Sequence, residues 1–374
     1  MIIIISGFIL RIFLSFYNAS FDNLPGAGND ALAFHLEAIN YLEIINNQFS
    51  SELTEYNYRV GWTYSIFLAY VYKVFGTSNL LLGSLFSSLV WLISAFVLKK
   101  VLIELKINKF KINSALFIYT FLFPTGIIYT SVTLREVYML CFVNLILLFL
   151  VRLINQKKKI LIFKNIVFFL VFLILLAGLH RSNIIFAILF LLFLLSYYLT
   201  IRLDLKKFTI VFLGIFAFVI FYQLGLIERL FNEIKSYQMG HFHLSPFRAG
   251  YYTKSEITSL DFSLLTFLSH VLNNVYNYFF QPSILKISSF KDIILFYENL
   301  IRGIMMLIIF AKIIKSKKRN HLLNILFIML FLSELPYSQA TINWGTASRH
   351  HVQIFGLLMV LLFLPKELKN EKKK

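Results

Sequence analysis

The chain has few of the residues that build disulfides, metal centres or soluble surfaces. Its 374 residues include a single cysteine, Cys141, so no intrachain disulfide can form. Only 14% of the residues are charged and 59% are hydrophobic, whereas soluble domains carry about 25% charged residues. The sequence contains no DxD, CxxC, HExxH or Walker pattern. These absences argue against a soluble enzyme and against a motif-defined metal centre, and they indicate a membrane protein.

Acidic residues are also scarce. The 18 Asp and Glu residues face 36 Lys and Arg residues, which gives a formal net charge of +18. A basic protein can bind nucleic acid through one positive face, but these cations cluster in short runs between apolar segments. The positive-inside rule places such runs on the cytoplasmic side of a membrane. We therefore interpret them as topology signals and expect the lipid bilayer, and no nucleic acid, as a partner.

The apolar runs predict an all-α fold, a polytopic transmembrane helix bundle that forms a single domain over residues 1–374. A spanning helix needs about 20 residues, and about ten runs approach that length. The basic runs place both termini in the cytoplasm, and the first run is expected to be a retained anchor. The expected location is a multi-pass position in the bacterial cytoplasmic (inner) membrane. The predicted spans are 1–17, 79–98, 112–130, 137–154, 160–178, 184–201, 208–226, 292–313, 321–337 and 352–365.

Two outer segments are predicted to contain helices that lie in the membrane interface. Within the first outer loop, 18–78, residues 61–75 resemble a membrane helix, but a crossing there would invert the side of every later basic cluster. A short juxtamembrane helix removes the conflict, and its Trp, Tyr and Lys residues suit that position. The large outer loop, 227–291, contains a second amphipathic run at Leu264–Phe280.

The first outer loop carries the candidate reactive carboxylate. Asp30 follows a stretch rich in Gly and Pro, so it can cap a helix or act as a reactive group, and the two roles are compatible. On a helix, Glu37 returns to nearly the face of Asp30, whereas His35 lies about 140° away. A metal site made from Asp30 and His35 alone is therefore disfavoured. Arg59 and Lys73 add cations to the same loop.

Two shorter outer loops supply further charged side chains. Arg135 and Glu136 can form a structural ion pair, or Glu136 can face the site while Arg135 binds a phosphate. His180 and Arg181 stand at a helix end beside Ser and Asn, where they can form an anion pocket or reach towards lipid headgroups. Both pairs are candidates for a site on the outer face.

The last outer loop ends in Arg349 and His350, at the start of the final predicted span. Arginine presents a bidentate fork that suits phosphate, although headgroup anchoring is the alternative. Across the outer loops, cations can hold a phosphate leaving group while a carboxylate takes the proton of an acceptor hydroxyl. A divalent cation is compatible with this scheme but is not required by it.

The order of these motifs resembles the GT-C superfamily of integral-membrane glycosyltransferases, which use polyprenyl-phosphate-linked sugars. The motifs are an acidic first outer loop, an interfacial helix that ends in Lys73-Val-Phe-Gly76, the Arg135-Glu136 loop and a late Arg-His pair. The likeness covers roughly the first 185 residues and residues 340–365. The chain is also similar to bacterial membrane proteins of O-antigen and capsule clusters.

The resemblance implies an enzyme with Asp30 and Glu136 as catalytic carboxylates and with an inverting transfer. The implied partners are a polyprenyl-phosphate-linked sugar donor and a glycan or lipid acceptor. Many members pair two acids in these loops, whereas Ala31 follows Asp30 here and Arg135 precedes Glu136, which puts metal dependence in doubt. The alternatives are an O-antigen or capsule repeat-unit polymerase and, in another class, a lipid-glycan flippase or transporter. Transporters usually show internal repeats, and this sequence shows none.

Overall fold

A computed structural model describes residues 1–21, 24, 27–46, 63–155, 158–202, 223, 225, 228–236, 263–315 and 321–365. Within these ranges the fold is all-helical, as predicted, and no strand is formed. The α-helices are numbered in chain order: α1 Ile2–Ser20, α2 Gly28–Asn46, α3 Thr63–Phe75, α4 Leu80–Glu104, α5 Lys109–Phe117, α6 Pro124–Tyr129, α7 Glu136–Asn155, α8 Lys159–Leu179, α9 Arg181–Arg202, α10 Leu264–Phe280, α11 Phe290–Ile314, α12 His321–Ala340, α13 Trp344–His350 and α14 Phe355–Phe363.

Six of the described helices are long and apolar enough to cross a membrane: Ile2–Ser20, Leu80–Glu104, Glu136–Ile154, Ile160–Leu179, Phe290–Ile314 and Leu322–Ala340. They mark the chain as a membrane protein, but the predicted count of ten spans is not confirmed. Predicted span 112–130 is interrupted at Pro124, and 352–365 begins with a 3-10 turn that leaves a short α14. The described apolar part of α9, Arg181–Leu195, is also short, and 208–226 lies almost wholly outside the described residues.

The second predicted interfacial run is helical, as is the first from residue 63 onwards, whereas residues 61–62 lie outside the described residues. α3 has 13 residues, too few for the roughly 20 that a span needs, and α10 covers the predicted run Leu264–Phe280 with Ser263 as its N-cap. Their position in the interface stays a prediction, as does the single transmembrane domain. Contacts along the chain divide it into two compact units.

The first unit contains residues 1–184, 300–330 and 348–374. Its core packs α4 against α1 and α7, and α7 also against α8. The packed face of α4 is small: Ser84, Ser87, Ser88 and Ser94 are all buried. Small side chains let helix backbones approach closely, which is how membrane helices associate. In α1 the buried Arg11 lies 3.6 Å over the ring of Trp91 and donates from Nε to Thr130 at 2.7 Å.

The second unit contains residues 185–299 and 331–347. Its core includes Tyr278, Leu295, Tyr337 and Trp344. Asp292, in the first turn of α11, accepts hydrogen bonds from Ser288, from Ser289 and, at 2.7 Å, from Trp344 Nε1. These bonds satisfy a buried carboxylate and fix the start of α13 against α11.

Candidate active site

A carboxylate–guanidinium–carboxylate bridge lies in the first unit. Arg349 donates from one terminal nitrogen to Asp30 Oδ2, and its Nε lies 2.9 Å from Glu136 Oε1. Asp30 and Arg349 are 319 positions apart in the sequence. The structure thus brings together the first-loop carboxylate, the second-loop carboxylate and the late arginine, which the sequence could only place on the same side of the membrane.

Local helix ends position the three side chains of the bridge. Asp30 and Glu136 stand in the first turns of α2 and α7, where the positive end of the helix dipole favours a carboxylate. Arg349 stands in the last turn of α13, and the chain continues directly into the 3-10 turn His351–Ile354. Because α2 begins at Gly28, Asp30 lies inside the first turn and not at the N-cap that the sequence suggested.

The two carboxylates differ in exposure. The side chain of Glu136 has no exposed surface, that of Arg349 is 11% exposed and that of Asp30 is 41% exposed. Within the described part of the chain, neither oxygen of Glu136 accepts an aligned hydrogen bond. A buried charge needs a partner, so Glu136 depends on Arg349 for its compensation. Asp30 is the carboxylate that a ligand can reach.

Arg135 borders the bridge on one side. Its Nε lies 3.9 Å from Glu136 Oε1, too far for a hydrogen bond, and its guanidinium sits 5.3 Å from the ring centre of Phe34. Its side chain is 13% exposed. Glu136 therefore pairs more closely with Arg349 than with its sequence neighbour, and a second guanidinium stands next to the bridge.

Two histidines from different segments meet beside these cations. The rings of His180 and His350 are 5.2 Å apart in an edge-to-face arrangement. His180 Nδ1 accepts a hydrogen bond from the backbone N–H of Ser182 at 3.1 Å, which caps the start of α9 and leaves Nδ1 without a proton. Burial, together with Arg135 and Arg349, holds the pKa of His180 and of His350 well below the usual 6.5. Both imidazoles are consequently neutral at neutral pH.

The remaining predicted site residues do not take part in the bridge, although Arg181 acts electrostatically on the neighbouring His180. His35 is buried, and its Nδ1 lies 2.7 Å from the hydroxyl of Tyr72, so it links α2 to α3. Glu37 is partly buried, whereas Lys73 and Arg181 are exposed. Among the residues that the structure describes, no hydrogen bond or ion pair joins these four to the Arg349 bridge. Arg59 lies outside the described residues.

Some neighbours of the site were not predicted. The hydroxyl of Tyr129 lies 3.2 Å from the Oγ of Ser348, the residue that precedes Arg349 in the sequence. Tyr129 also acts electrostatically on Arg349. The rings of Tyr64 and Tyr138 lie 5.1 Å apart, with Tyr64 close enough to sense Glu136. Tyrosines in apolar segments resemble interfacial or core residues, so only their position in the fold reveals them.

A metal ion has few candidate ligands here. Among the residues that the structure describes, no three His, Cys, Asp or Glu side chains are grouped as a metal site would require. The two carboxylates of the bridge face a guanidinium between them, and the two guanidinium groups balance their charge. Asp30 is the member of this group with the most exposed side chain.

Comparison of the chain with known protein families, with curated proteins and with solved structures finds no match.

Proposed function

We propose that this chain is an integral-membrane glycosyltransferase that moves a sugar from a polyprenyl-phosphate-linked donor to a glycan or lipid acceptor. The observation that carries the proposal is the bridge from Asp30 through Arg349 to Glu136. Such a transfer needs cations for a leaving phosphate and a base for an acceptor hydroxyl. The order of the motifs, which resembles the GT-C superfamily, supports the same class of reaction.

Asp30 is proposed as the general base because it is the exposed carboxylate of the bridge. It takes the proton of the acceptor hydroxyl while the acceptor oxygen forms a bond to the anomeric carbon. The bond from that carbon to the phosphate oxygen breaks, and polyprenyl phosphate leaves with the electron pair. Attack from the face opposite the phosphate inverts the anomeric configuration, and Asp30 carries the proton away.

Arg349 and Arg135 are proposed to hold the phosphate. A guanidinium has five N–H donors, so Arg349 can contact Glu136 and Asp30 and still present donors to an anion. An arriving phosphate competes with Asp30 for Arg349, which releases the Asp30 carboxylate to face the acceptor hydroxyl. Glu136 is proposed as a positioning residue, since it is fully buried and lies against Arg349 Nε.

The proposed location of this site is the outer face of the cytoplasmic membrane. α4 and α7 pack along each other, and Glu136 starts α7 whereas Arg152 lies in its last turn, paired with Glu104 at 2.9 Å. Lys99 and Lys100 lie near the C-terminal end of α4, the end that carries Glu104. If this end faces the cytoplasm, as the positive-inside rule favours, the bridge lies on the other side, about 30 Å away along a 20-residue helix.

The test uses a host strain that lacks the gene and receives wild-type or variant protein. Lipid extracts and surface glycans are profiled by mass spectrometry, with equal protein in the membrane verified by immunoblot. Asp30→Asn and Arg349→Lys are expected to lower product formation by about 100-fold or more, with build-up of the lipid-linked donor. Glu43→Gln, a change at an exposed carboxylate on the same helix as Asp30, is the matched control and should match wild type.

The pattern of accumulated lipids separates the competing activities. Build-up of a sugar on polyprenyl phosphate supports the transferase, whereas build-up of single complete repeat units on pyrophosphate would instead indicate a polymerase. Donor trapped on the cytoplasmic face would indicate a flippase. Unchanged glycan in both Asp30→Asn and Arg349→Lys would refute an enzymatic role for the bridge.

A further inference from the structure

A charged side chain is buried within the first candidate membrane span. Arg11 lies in the middle of Ile2–Ser20, and its exposed fraction is only 1%. Among the residues that the structure describes, no carboxylate forms an ion pair with Arg11. Its guanidinium lies 3.6 Å from the ring centre of Trp91 and donates to the carbonyl oxygen of Gly7 at 3.0 Å and to the hydroxyl of Thr130 at 2.7 Å. An ionisable side chain inside a membrane segment is costly and is a mark of a functional region.

The hydrogen bond to Thr130 connects α1 with the candidate active site. Thr130 is the first residue of the linker 130–135, which joins α6 to α7. This linker leads directly into Glu136, the first residue of α7. At its other end it follows Tyr129, whose hydroxyl contacts the serine directly before Arg349. The position of the linker therefore sets the place of two parts of the candidate active site.

Two serines from different helices hold the same linker. The hydroxyl of Ser15, one helical turn from Arg11 in α1, lies 2.8 Å from the carbonyl oxygen of Ser131. The hydroxyl of Ser84, in α4, lies 3.1 Å from that of Thr133. All of these side chains are buried. Together with the arginine bond, these contacts hold the linker at three of its first four residues.

We propose that Arg11 is a positioning residue for the candidate active site. Through Thr130 it fixes the linker, and through the linker it aligns Glu136 with Arg349, whose Nε lies 2.9 Å from the carboxylate. This inference rests on the proposed function, because the alignment matters only if the bridge takes part in a reaction. A displacement of about 1 Å at reacting groups can lower a rate about 100-fold, even when the change that causes it lies far from the chemistry.

Packing alone does not require an arginine in this part of α1. An apolar side chain of similar length enters a membrane segment at lower cost. Without Arg11, the hydroxyl of Thr130 still donates to the carbonyl oxygen of Gly126 at 2.6 Å, so Thr130 is not left without a partner. Replacement of the arginine by methionine therefore removes the link between α1 and the linker without leaving this hydroxyl unsatisfied.

The test is a double-mutant cycle on the two ends of the bond, Arg11→Met and Thr130→Val, in full-length protein purified in mild detergent. A lipid extract of the strain that lacks the gene supplies donor and acceptor, and release of polyprenyl phosphate is followed by mass spectrometry. Each single variant is expected to lower kcat about tenfold or more with little change in KM. The double variant should lower kcat no further, because both changes remove the same bond.

The matched control for this cycle is Ser94→Ala. It removes a buried 3.0 Å contact with the hydroxyl of Tyr119, elsewhere in the same unit, and none with the linker. Its kcat should equal that of wild type. Thr130→Val keeps the buried charge of Arg11 and nearly the same volume, so it carries the test if Arg11→Met fails to fold. A wild-type kcat in Thr130→Val, or losses that add in the double variant, would overturn the proposal.

Hydrogen exchange measured by mass spectrometry tests the hold on the linker without reliance on any reaction. Backbone amides of residues 130–136 are expected to exchange several-fold faster in Arg11→Met and in Thr130→Val than in wild type, whereas those of α8 should not change. Unchanged exchange in the linker would also overturn the proposal. If the wild type releases no polyprenyl phosphate, the proposed function fails, and the exchange rates alone then decide whether Arg11 holds the linker.

Discussion

The Nε atom of Arg349 lies 2.9 Å from Glu136 Oε1, and the side chain of Glu136 has no exposed surface. Among the described residues this guanidinium is the closest cation to a carboxylate that accepts no aligned hydrogen bond. The attraction to the buried Glu136 therefore fixes the position of Arg349. The same guanidinium also contacts the more exposed carboxylate of Asp30. Because Glu136 is buried and Asp30 is exposed, we expect loss of the Glu136 contact to lower stability and loss of Asp30 to lower activity.

Removal of the arginine charge should destabilise the fold. Arg349→Met leaves the buried Glu136 without its partner, and we expect a loss of about 3–5 kcal/mol in the free energy of unfolding. Addition of Glu136→Gln should recover most of that loss, because the uncompensated charge is gone. Circular dichroism during thermal unfolding in detergent provides the measurement. A double variant as unstable as Arg349→Met would show that packing, and not charge, is what Arg349 provides.

Acid should destabilise the protein through His350. Its folded pKa lies well below 6.5 because of burial and because it faces His180, Arg349 and Arg135. The unfolded state binds a proton near pH 6.5 and the folded state does not, so stability is complete above about 6.5 and falls as the pH drops below it. His350→Gln should reduce the slope of unfolding temperature between pH 7 and 5. The substitution should not abolish the pH dependence, since His180 and His35 also have lowered pKa values. An unchanged slope would contradict this assignment.

Close packing of α1 should make Gly7 intolerant of substitution. A Cβ at Gly7 would lie 2.2 Å from Thr120 Cγ2 and 2.7 Å from the ring of Trp91. We expect Gly7→Ala to cost about 1–3 kcal/mol of stability. Gly178→Ala is the matched control, because a Cβ there meets nothing within 4 Å and alanine favours the helix. The comparison uses unfolding temperatures of the purified proteins, and equal losses in the two variants would rule out this packing argument.

Lys312 should stabilise the end of the last described helix. Its Nζ donates to the carbonyl oxygens of Leu361, Leu362 and Leu364 at 2.8, 2.7 and 2.8 Å, which are orphan acceptors at a helix C-terminus. Lys312→Met should therefore cost about 2–3 kcal/mol in the free energy of unfolding. Lys315→Met, a change at an exposed lysine three positions further on, should have little effect. Identical unfolding curves for Lys312→Met and wild type would disprove the capping role.

The six long apolar helices were readable from the sequence, although their ends differ from the predicted bounds by several residues. Long apolar runs predicted α1, α4, α7, α8, α11 and α12, because a bilayer accepts only segments that satisfy their own backbone hydrogen bonds. The predicted count of ten spans is not confirmed, and two of the runs are interrupted: a helix begins at Pro124, and a 3-10 turn precedes the short α14. Hydropathy averages over such interruptions and cannot detect them.

The sequence by itself determined that this is a helical membrane protein, and it named Asp30, Glu136 and Arg349 as candidates because charged side chains are rare in so apolar a chain. Only the tertiary structure decided that Arg349 pairs with both carboxylates while Lys73 and Arg181 stay exposed. The physical reason is that periodicity and propensity act over one or two helical turns, whereas a contact across 319 positions depends on how the helices pack. The same packing decided that Glu136 is buried and Asp30 is reachable, which no local pattern specifies.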